Sequence, residues 1–319
     1  MLNLNLCLWN LIIFIDLFKI IIFIYCIMEL KEFIHKKRPS LSASSVITYA
    51  SVLRSLYLKI FNSKDIDVKK FDETNTILEH LKDVPVNRRK TILSALVIVT
   101  DDSKYRDQML DDVRSYNKEI STQDKSPEQK ANWVNTADVK KIFDALTKQA
   151  NLLYKKDNIS SADLQEIQNY IIFCLLGGIF IPPRRSLDYC HFKIKDIDQA
   201  QNYLDKKTLV FNIYKTAKTY GKQVIECPPP LLKILKKWIA INPTNFLLFD
   251  TNGSALSPVK LNQRLNKIFG GKKVGVNMLR HCYLTDKYAD TIKTNENLAN
   301  DMSEMGSSLI QSNVYIKRE

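Results

Sequence analysis

From residue 29 onward, apolar side chains recur at intervals of three and four, the period of a helix with one buried face. Val46, Tyr49, Val52, Leu53, Leu56, Tyr57 and Ile60 trace such a face over Val46–Phe61, with Ser42 to Ser45 as candidate N-caps. A short charged helix, E-L-K-E-F-I-H-K-K, precedes it and stops before Pro39. Asp72–Leu81, Asn87–Val99 and the more polar Ser103–Asn117 also read as helices. Short connections between helices of this length predict a compact helical bundle over residues 29–118. Residues 119–131 are polar, lack an apolar period and contain Ser-Pro, the composition of an interdomain linker.

Beyond the linker the pattern becomes mixed. A helix is expected from Asn135 to about Tyr154. Another is expected over Ser160–Ile179, where Leu164, Ile167, Tyr170, Ile171, Cys174 and Leu175 keep helical spacing. Its later half is apolar all round, so it reads as the central helix of a second domain, residues 132–319. Thr208–Lys215 alternates as a strand, Thr216–Gly221 turns, and Gln223–Cys227 returns, which predicts a β-hairpin with a longer loop. Leu231–Ile241 and Ser257–Ile268 read as helices, the latter with Pro258 in its first turn. Phe246–Phe249 reads as a short buried strand, and Gly270-Gly271-Lys272-Lys273 as a glycine-hinged basic loop. Asn277 is expected to cap a helix carrying Arg280, His281 and Tyr288, with two short helices, 296–302 and 308–316, after it. The fold class is mostly α with a small β-hairpin or sheet (α+β), a helical bundle followed by a second mixed domain.

Residues 1–28 stand apart. L-I-I-F-I-D-L-F-K-I-I-I-F-I-Y-C-I is apolar over about one membrane span, yet Asp16 and Lys19 interrupt it near the middle. A charge at mid-bilayer costs on the order of 3 kcal/mol, and no small-residue cleavage site follows. Three readings stay open: a membrane anchor, a translated upstream stretch with the working protein starting at Met28, or a hydrophobic helix folded onto the body.

The charge balance narrows the class of partner. Lys and Arg number 47 against 34 Asp and Glu, a net charge of +13. Asp16 and Lys19 cancel, so that excess belongs to the rest of the chain, and it favours a polyanion, nucleic acid before an acidic membrane surface. An apolar content of 45% excludes a disordered chain. The 6 cysteines and 4 histidines are scattered, without zinc-ligand spacing or a C-x-x-C pair, so reduced thiols in an intracellular protein are expected. In the bundle, Asn87-Arg88-Arg89-Lys90 at a helix start is the best candidate for phosphate contact.

The candidate chemistry lies near the end of the chain. V-N-M-L-R-H-C-Y-L-T-D at 276–286 is followed, after a spacer, by M-G-S-S-L-I-Q-S-N-V-Y at 305–315. Upstream stand P-P-R-R-S-L-D-Y at 182–189 and Y-K-T-A-K-T-Y-G at 214–221. This order of motifs resembles the tyrosine recombinases, the phage-type integrases, and loosely those of DNA viruses and mobile elements. By motif the resemblance covers about residues 135–319; over 29–118 it is one of architecture, a helical DNA-clamping domain ahead of a catalytic one.

The resemblance implies a catalytic set. Tyr315 is the nucleophile, a phenol whose phosphodiester is readily reversed. Arg185 and Arg280 clamp the phosphate with planar forks. Arg185 is preferred to Arg184 because Asp188 follows it at the third position, where the family carries an acid. Lys215 protonates the leaving 5′-oxygen, with Lys218 as its rival. Two positions depart from the family pattern. Asn277 stands where the family usually has a histidine, and Ser307 follows Gly306 where a histidine or tryptophan is usual. His281, directly after the second arginine, is a further candidate. The implied partners are double-stranded DNA and three more copies of the chain in a tetramer; membrane contact would come only through residues 1–28, and no cofactor is implied. The implied location is with DNA inside a cell, in nucleus or cytoplasm, or in a virion. Alternatives are a DNA-binding protein whose site has decayed at Asn277 and Ser307, and a type IB topoisomerase-like enzyme.

Overall fold

The computed structural model describes residues 28–305. The chain divides into two compact units with the boundary between Asp124 and Lys125. Both the hydrophobic segment up to residue 27 and the terminal stretch from residue 306 lie outside the described residues. Among the described residues no helix is long and apolar enough to cross a membrane.

The first unit is helical throughout. Residues 28–37 form α1, followed by α2 (Ala43–Phe61), a 3-10 turn (Val68–Asp72), α3 (Thr74–Leu81), α4 (Val86–Thr100) and α5 (Ser103–Ser121). Ser42 caps α2 by accepting from the Ser45 amide, and Asn62 ends it in the left-handed region at φ 49°. The apolar stripes meet in one core around Leu53, Tyr57, Phe71, Leu93 and Tyr105. The buried Tyr105 hydroxyl donates to the Phe71 carbonyl at 2.8 Å, so the core holds a satisfied polar atom.

A buried ion pair crosses this unit. Arg89 donates from Nε to Asp112 Oδ2 at 2.8 Å and from Nη2 to Asp112 Oδ1 at 2.7 Å. Gln108 adds a bond to Asp112 Oδ1 at 3.1 Å. Burial alone would push the Asp112 carboxyl up, but the hydrogen bonds from Arg89 and Gln108 and the Arg89 charge hold it below the usual carboxylate range. Arg89 is thereby removed from the expected phosphate-contact cluster, and Lys90 lies over the Tyr116 ring at 3.1 Å; Arg88 remains exposed.

The second unit opens on α6 (Pro127–Asn132), capped by a Ser126–Gln129 capping box, so the expected linker contains the end of α5 and a short helix. Then come α7 (Thr136–Leu153), α8 (Ser161–Leu176) and α9 (Ser186–Cys190). A three-stranded antiparallel sheet follows, β1 (Tyr203–Asp205), β2 (Thr208–Phe211) and β3 (Gln223–Glu226), with the one-turn helix α10 (Ala217–Tyr220) between β2 and β3. Helices α11 (Pro229–Ile241), α12 (Pro258–Ile268) and α13 (Val276–Glu304) complete it. As expected from its pattern, α8 is the central helix: Ile171 to Leu176 are all buried, and the core of the unit surrounds them.

The protein is thus mostly α with a small sheet, as the pattern predicts, but several local expectations are corrected. Strand β2 ends at Phe211 rather than Lys215, because the Asn212 and Ile213 amides both donate to Asn202 Oδ1 at 2.8 Å instead of to a partner strand. The Phe246–Phe249 segment is half-buried at Phe246 and buried from Leu247 on, but forms only isolated bridges. Its backbone is satisfied partly by isolated backbone bonds, Leu247 amide to the Phe192 carbonyl at 2.8 Å and Leu256 amide to the Leu248 carbonyl at 3.1 Å, and partly by side chains: Gln168 donates to the Phe249 carbonyl and accepts from the Phe249 amide, at 2.8 and 2.7 Å, and Trp238 donates to the Leu247 carbonyl at 2.9 Å. The separate helix expected at 296–302 is instead the continuation of α13.

Replacing Asp112 with alanine leaves the Arg89 guanidinium buried without its carboxylate. We expect a loss of about 3 kcal/mol from the helical unit at pH 7, read from urea unfolding. In the parent protein this contribution is full above the unfolded carboxyl value of about 4 and fades as pH falls through the lower folded value.

Candidate functional site

The site is built where α8 ends. Gly178 follows that helix at φ +75°, a conformation that suits glycine, and the Tyr283 ring of α13 lies so close that a Cβ there would sit 2.6 Å from it. This contact brings α13 against the outgoing chain. Pro182 and Pro183 restrict the next stretch, and Arg185 enters α9 in extended conformation at its N-cap position.

One buried carboxylate lies at the centre. Asp188 is 2% exposed, and its Oδ2 accepts from Arg184 Nε at 2.9 Å. Arg184 also donates from Nη1 to Gln223 Oε1 at 2.6 Å, and its guanidinium stacks on Phe211 at 3.9 Å. Tyr214 lies 5.1 Å from the same guanidinium. Arg184 therefore ties α9 to the ends of β2 and β3.

Arg185 and Arg280 are placed differently. Both are half-buried, and neither side chain makes a hydrogen bond or ion pair among the described residues. Yet both act electrostatically on Asp188, as Arg184 does; three guanidiniums against one carboxylate leave two positive charges unbalanced. Burial pushes the Asp188 carboxyl up, the guanidiniums only partly offset it, and its Oδ1 has no hydrogen-bond partner in the described residues. The Arg280 pKa is lowered, first by burial and then by repulsion from the charge of Arg185. An anion seated between them would relieve that repulsion, and a phosphate suits paired planar forks.

The α13 face follows from helical geometry. Val276, Leu279 and Cys282 are buried, Asn277 and His281 are exposed, and Arg280 stands at the border between the two faces. Asn277 is not the helix cap: α13 begins at Val276, whose amide donates to Asn262 Oδ1 on α12 at 3.0 Å. The cap comes from a neighbouring helix, freeing Asn277 to face solvent one turn from His281.

Lys215 sits in the β2–β3 connection, not at the end of a strand. Lys215 and Lys218 are both exposed, and neither side chain has a bonded partner among the described residues. The connection itself is ordered by bonds: Tyr214 donates to the Gly221 carbonyl at 2.6 Å, and Asn202 Nδ2 donates to the Ile213 and Asp188 carbonyls at 2.7 and 3.0 Å. Tyr315 and Ser307 lie outside the described residues. A groove of 530 Å³ between α7 and α13, lined by Phe143, Gly178 and Tyr283 among others, contains none of the candidate residues.

Of the candidates, then, Arg185 and Arg280 are brought together, Lys215 is carried on a loop tied to Arg184, and Asn277 and His281 share the outer face of α13. Sequence reasoning missed Asn202 and Gln223. A lone Asn in A-Q-N-Y-L and a Gln opening a strand carry no local signal; only their partners reveal them.

No family model and no curated protein matches the chain. Among solved structures it is similar to the XerH site-specific recombinase bound to difH substrate in a pre-cleavage complex, at 17% identity over 77% of this chain and 68% of that one, with a TM-score of 0.40. It is also similar to XerA recombinase, at 13% identity over 83% of this chain and 84% of that one, TM-score 0.33. A third is a lambda integrase dimer bound to a COC′ core site, at 14% identity over 83% of this chain and 69% of that one, TM-score 0.41.

Gly178→Ala tests the contact that seats α13. We expect a loss of about 2 kcal/mol, from a side chain at positive φ and a displaced Tyr283, measured as a lower melting temperature. A variant as stable as the parent would show that Tyr283 does not hold α13 there.

Proposed function

We propose that this chain is a site-specific DNA recombinase of the tyrosine type, cutting and rejoining strands through a 3′-phosphotyrosine on Tyr315. The observation that carries the reading is a pair of guanidiniums, Arg185 and Arg280, that have no bonded partner among the described residues and lie around a buried acid that another arginine already pairs with. Such a pair is suited to the two non-bridging oxygens of one phosphate. The terminal M-G-S-S-x-x-x-S-x-x-Y motif supplies the nucleophile, and the net charge of +13 supplies attraction for a polyanion.

In this mechanism the Tyr315 oxygen attacks the scissile phosphorus, and its proton is lost to solvent or a neighbouring base. The bond to the 5′-oxygen breaks, and Lys215 gives that oxygen its proton. Arg185 and Arg280 hold the charge that builds on the non-bridging oxygens, where fixed donors act most strongly. Asn277, His281 and Ser307 add hydrogen bonds around the phosphate. The 5′-hydroxyl of a partner strand then attacks the phosphotyrosine, and the phenolate leaves. The energy of the broken bond is kept in the ester, so no nucleotide is consumed. Exchange between two duplexes calls for four copies of the chain, working wherever the cell or virion keeps the DNA.

A nicked suicide duplex tests this. The parent protein should form a covalent adduct, Tyr315→Phe none, and Arg185→Ala or Arg280→Ala should slow its formation by about 100-fold to 1000-fold. A parent that binds DNA with steep salt dependence but never becomes attached would sink the catalytic reading and leave a DNA-binding protein. Supercoil relaxation without strand exchange would point to a topoisomerase-like enzyme. For the acid, Lys215→Ala should be rescued on DNA whose scissile 5′-oxygen is replaced by sulfur, a leaving group that needs no proton. Rescue of Lys218→Ala instead would move the role to Lys218.

A further inference from the structure

We infer that Arg184 is a positioning residue that keeps Arg185 and Arg280 free and couples them to the lysine-bearing connection. The consequence for strand cleavage rests on the recombinase reading; the consequence for the guanidiniums does not. Two adjacent arginines in P-P-R-R have opposite surroundings. Arg184 is held by Asp188 at 2.9 Å, by Gln223 at 2.6 Å and by the faces of Phe211 and Tyr214. Arg185, the next residue, has no bonded partner among the described residues.

The electrostatics explain why that division matters. Asp188 is buried, and a buried carboxylate left alone would draw in a cation. Arg185 and Arg280 both lie within its field. With Arg184 in place, one fork answers the acid and the other two stay open. Without it, Asp188 would capture Arg185 or Arg280, closing the anion site from inside. The same guanidinium reaches the hairpin. Tyr214 rests on it directly before Lys215, and Gln223 begins the returning strand. Lysine could keep the charge at this position, but one ammonium cannot stack on two rings while bonding both Asp188 and Gln223.

The first test reads the guanidiniums directly. The full chain is treated with phenylglyoxal, and modification at each arginine is mapped by mass spectrometry, with circular dichroism confirming the fold. In the parent, Arg185 and Arg280 should react and Arg184 should be protected. In Arg184→Met, modification of Arg185 or Arg280 should slow by at least about tenfold as Asp188 captures it. In Arg184→Met/Asp188→Asn, with no acid to capture either, both should regain parental reactivity. Arg184→Lys should leave both reactive but speed amide exchange over residues 213–220. Unchanged reactivity in a folded Arg184→Met overturns the inference. If that variant does not fold, parental amide exchange over 213–220 in Arg184→Lys overturns it instead.

The second test uses the nicked duplex. Adduct formation by Arg184→Met should fall by about a hundredfold at unchanged DNA affinity, and the double variant should recover most of it. Failure of the double variant to recover while its arginines are reactive would place Arg184 on the phosphate itself and overturn the positioning role. A parent protein that forms no adduct sinks the recombinase reading, and the modification pattern still decides the role of Arg184.

Discussion

The second unit turns on one buried negative charge. Asp188 lies on a short helix, nearly inaccessible, and a carboxylate in that position demands a cation with good geometry. Arg184 supplies it, and because its fork has donors to spare it also reaches Gln223 on the sheet. Asn202 makes the same connection through the backbone, bonding the Asp188 carbonyl on one side and the turn after β2 on the other. The local arrangement of α9, the sheet and the β2–β3 connection follows from satisfying these few polar groups.

The excess of positive charge beside this acid has a structural cause. Arg185 is forced next to Arg184 by sequence and by the restrictions of Pro182 and Pro183. Arg280 arrives from a distant helix, held by Tyr283 against Gly178 and by the capping of α13 from Asn262. Each arrangement is stabilised by packing or hydrogen bonds elsewhere, so the mutual repulsion of two guanidiniums without a bonded partner among the described residues is tolerated. The Arg280 pKa is lowered first by its burial and then by the charge of Arg185.

Side-chain hydrogen bonds to buried backbone recur through this unit. Gln168 replaces a partner strand for Phe249, and Trp238 and Asn242 satisfy the Leu247 and Phe246 carbonyls. These bonds let an irregular segment cross the interior without unsatisfied peptide groups. They also explain why hydrophobic pattern alone misread it: Phe246 to Phe249 has the composition of a strand, and its burial was legible, but its backbone bonds to Phe192 and Leu256 are isolated and the side chains of Gln168, Trp238, Asn242 and Thr244 complete the set.

Much of the helical framework was legible in residue order. Ser42, one of the candidates Ser42 to Ser45, caps α2, and Asn135, Ser160 and Ser257, where helices were expected to start, cap those helices, because capping is a bond within three residues. The central place of α8 was readable from a run too apolar to face water. The preference for Arg185 over Arg184 came from resemblance. What local sequence could not decide is what depends on partners far apart in the chain: where β2 stops, which helix caps α13, and which of two adjacent arginines stays free. Those outcomes rest on Asn202, Asn262 and Asp188 meeting groups that only the folded chain brings within hydrogen-bond distance, and the energy of such a bond exists only once both partners have left water together.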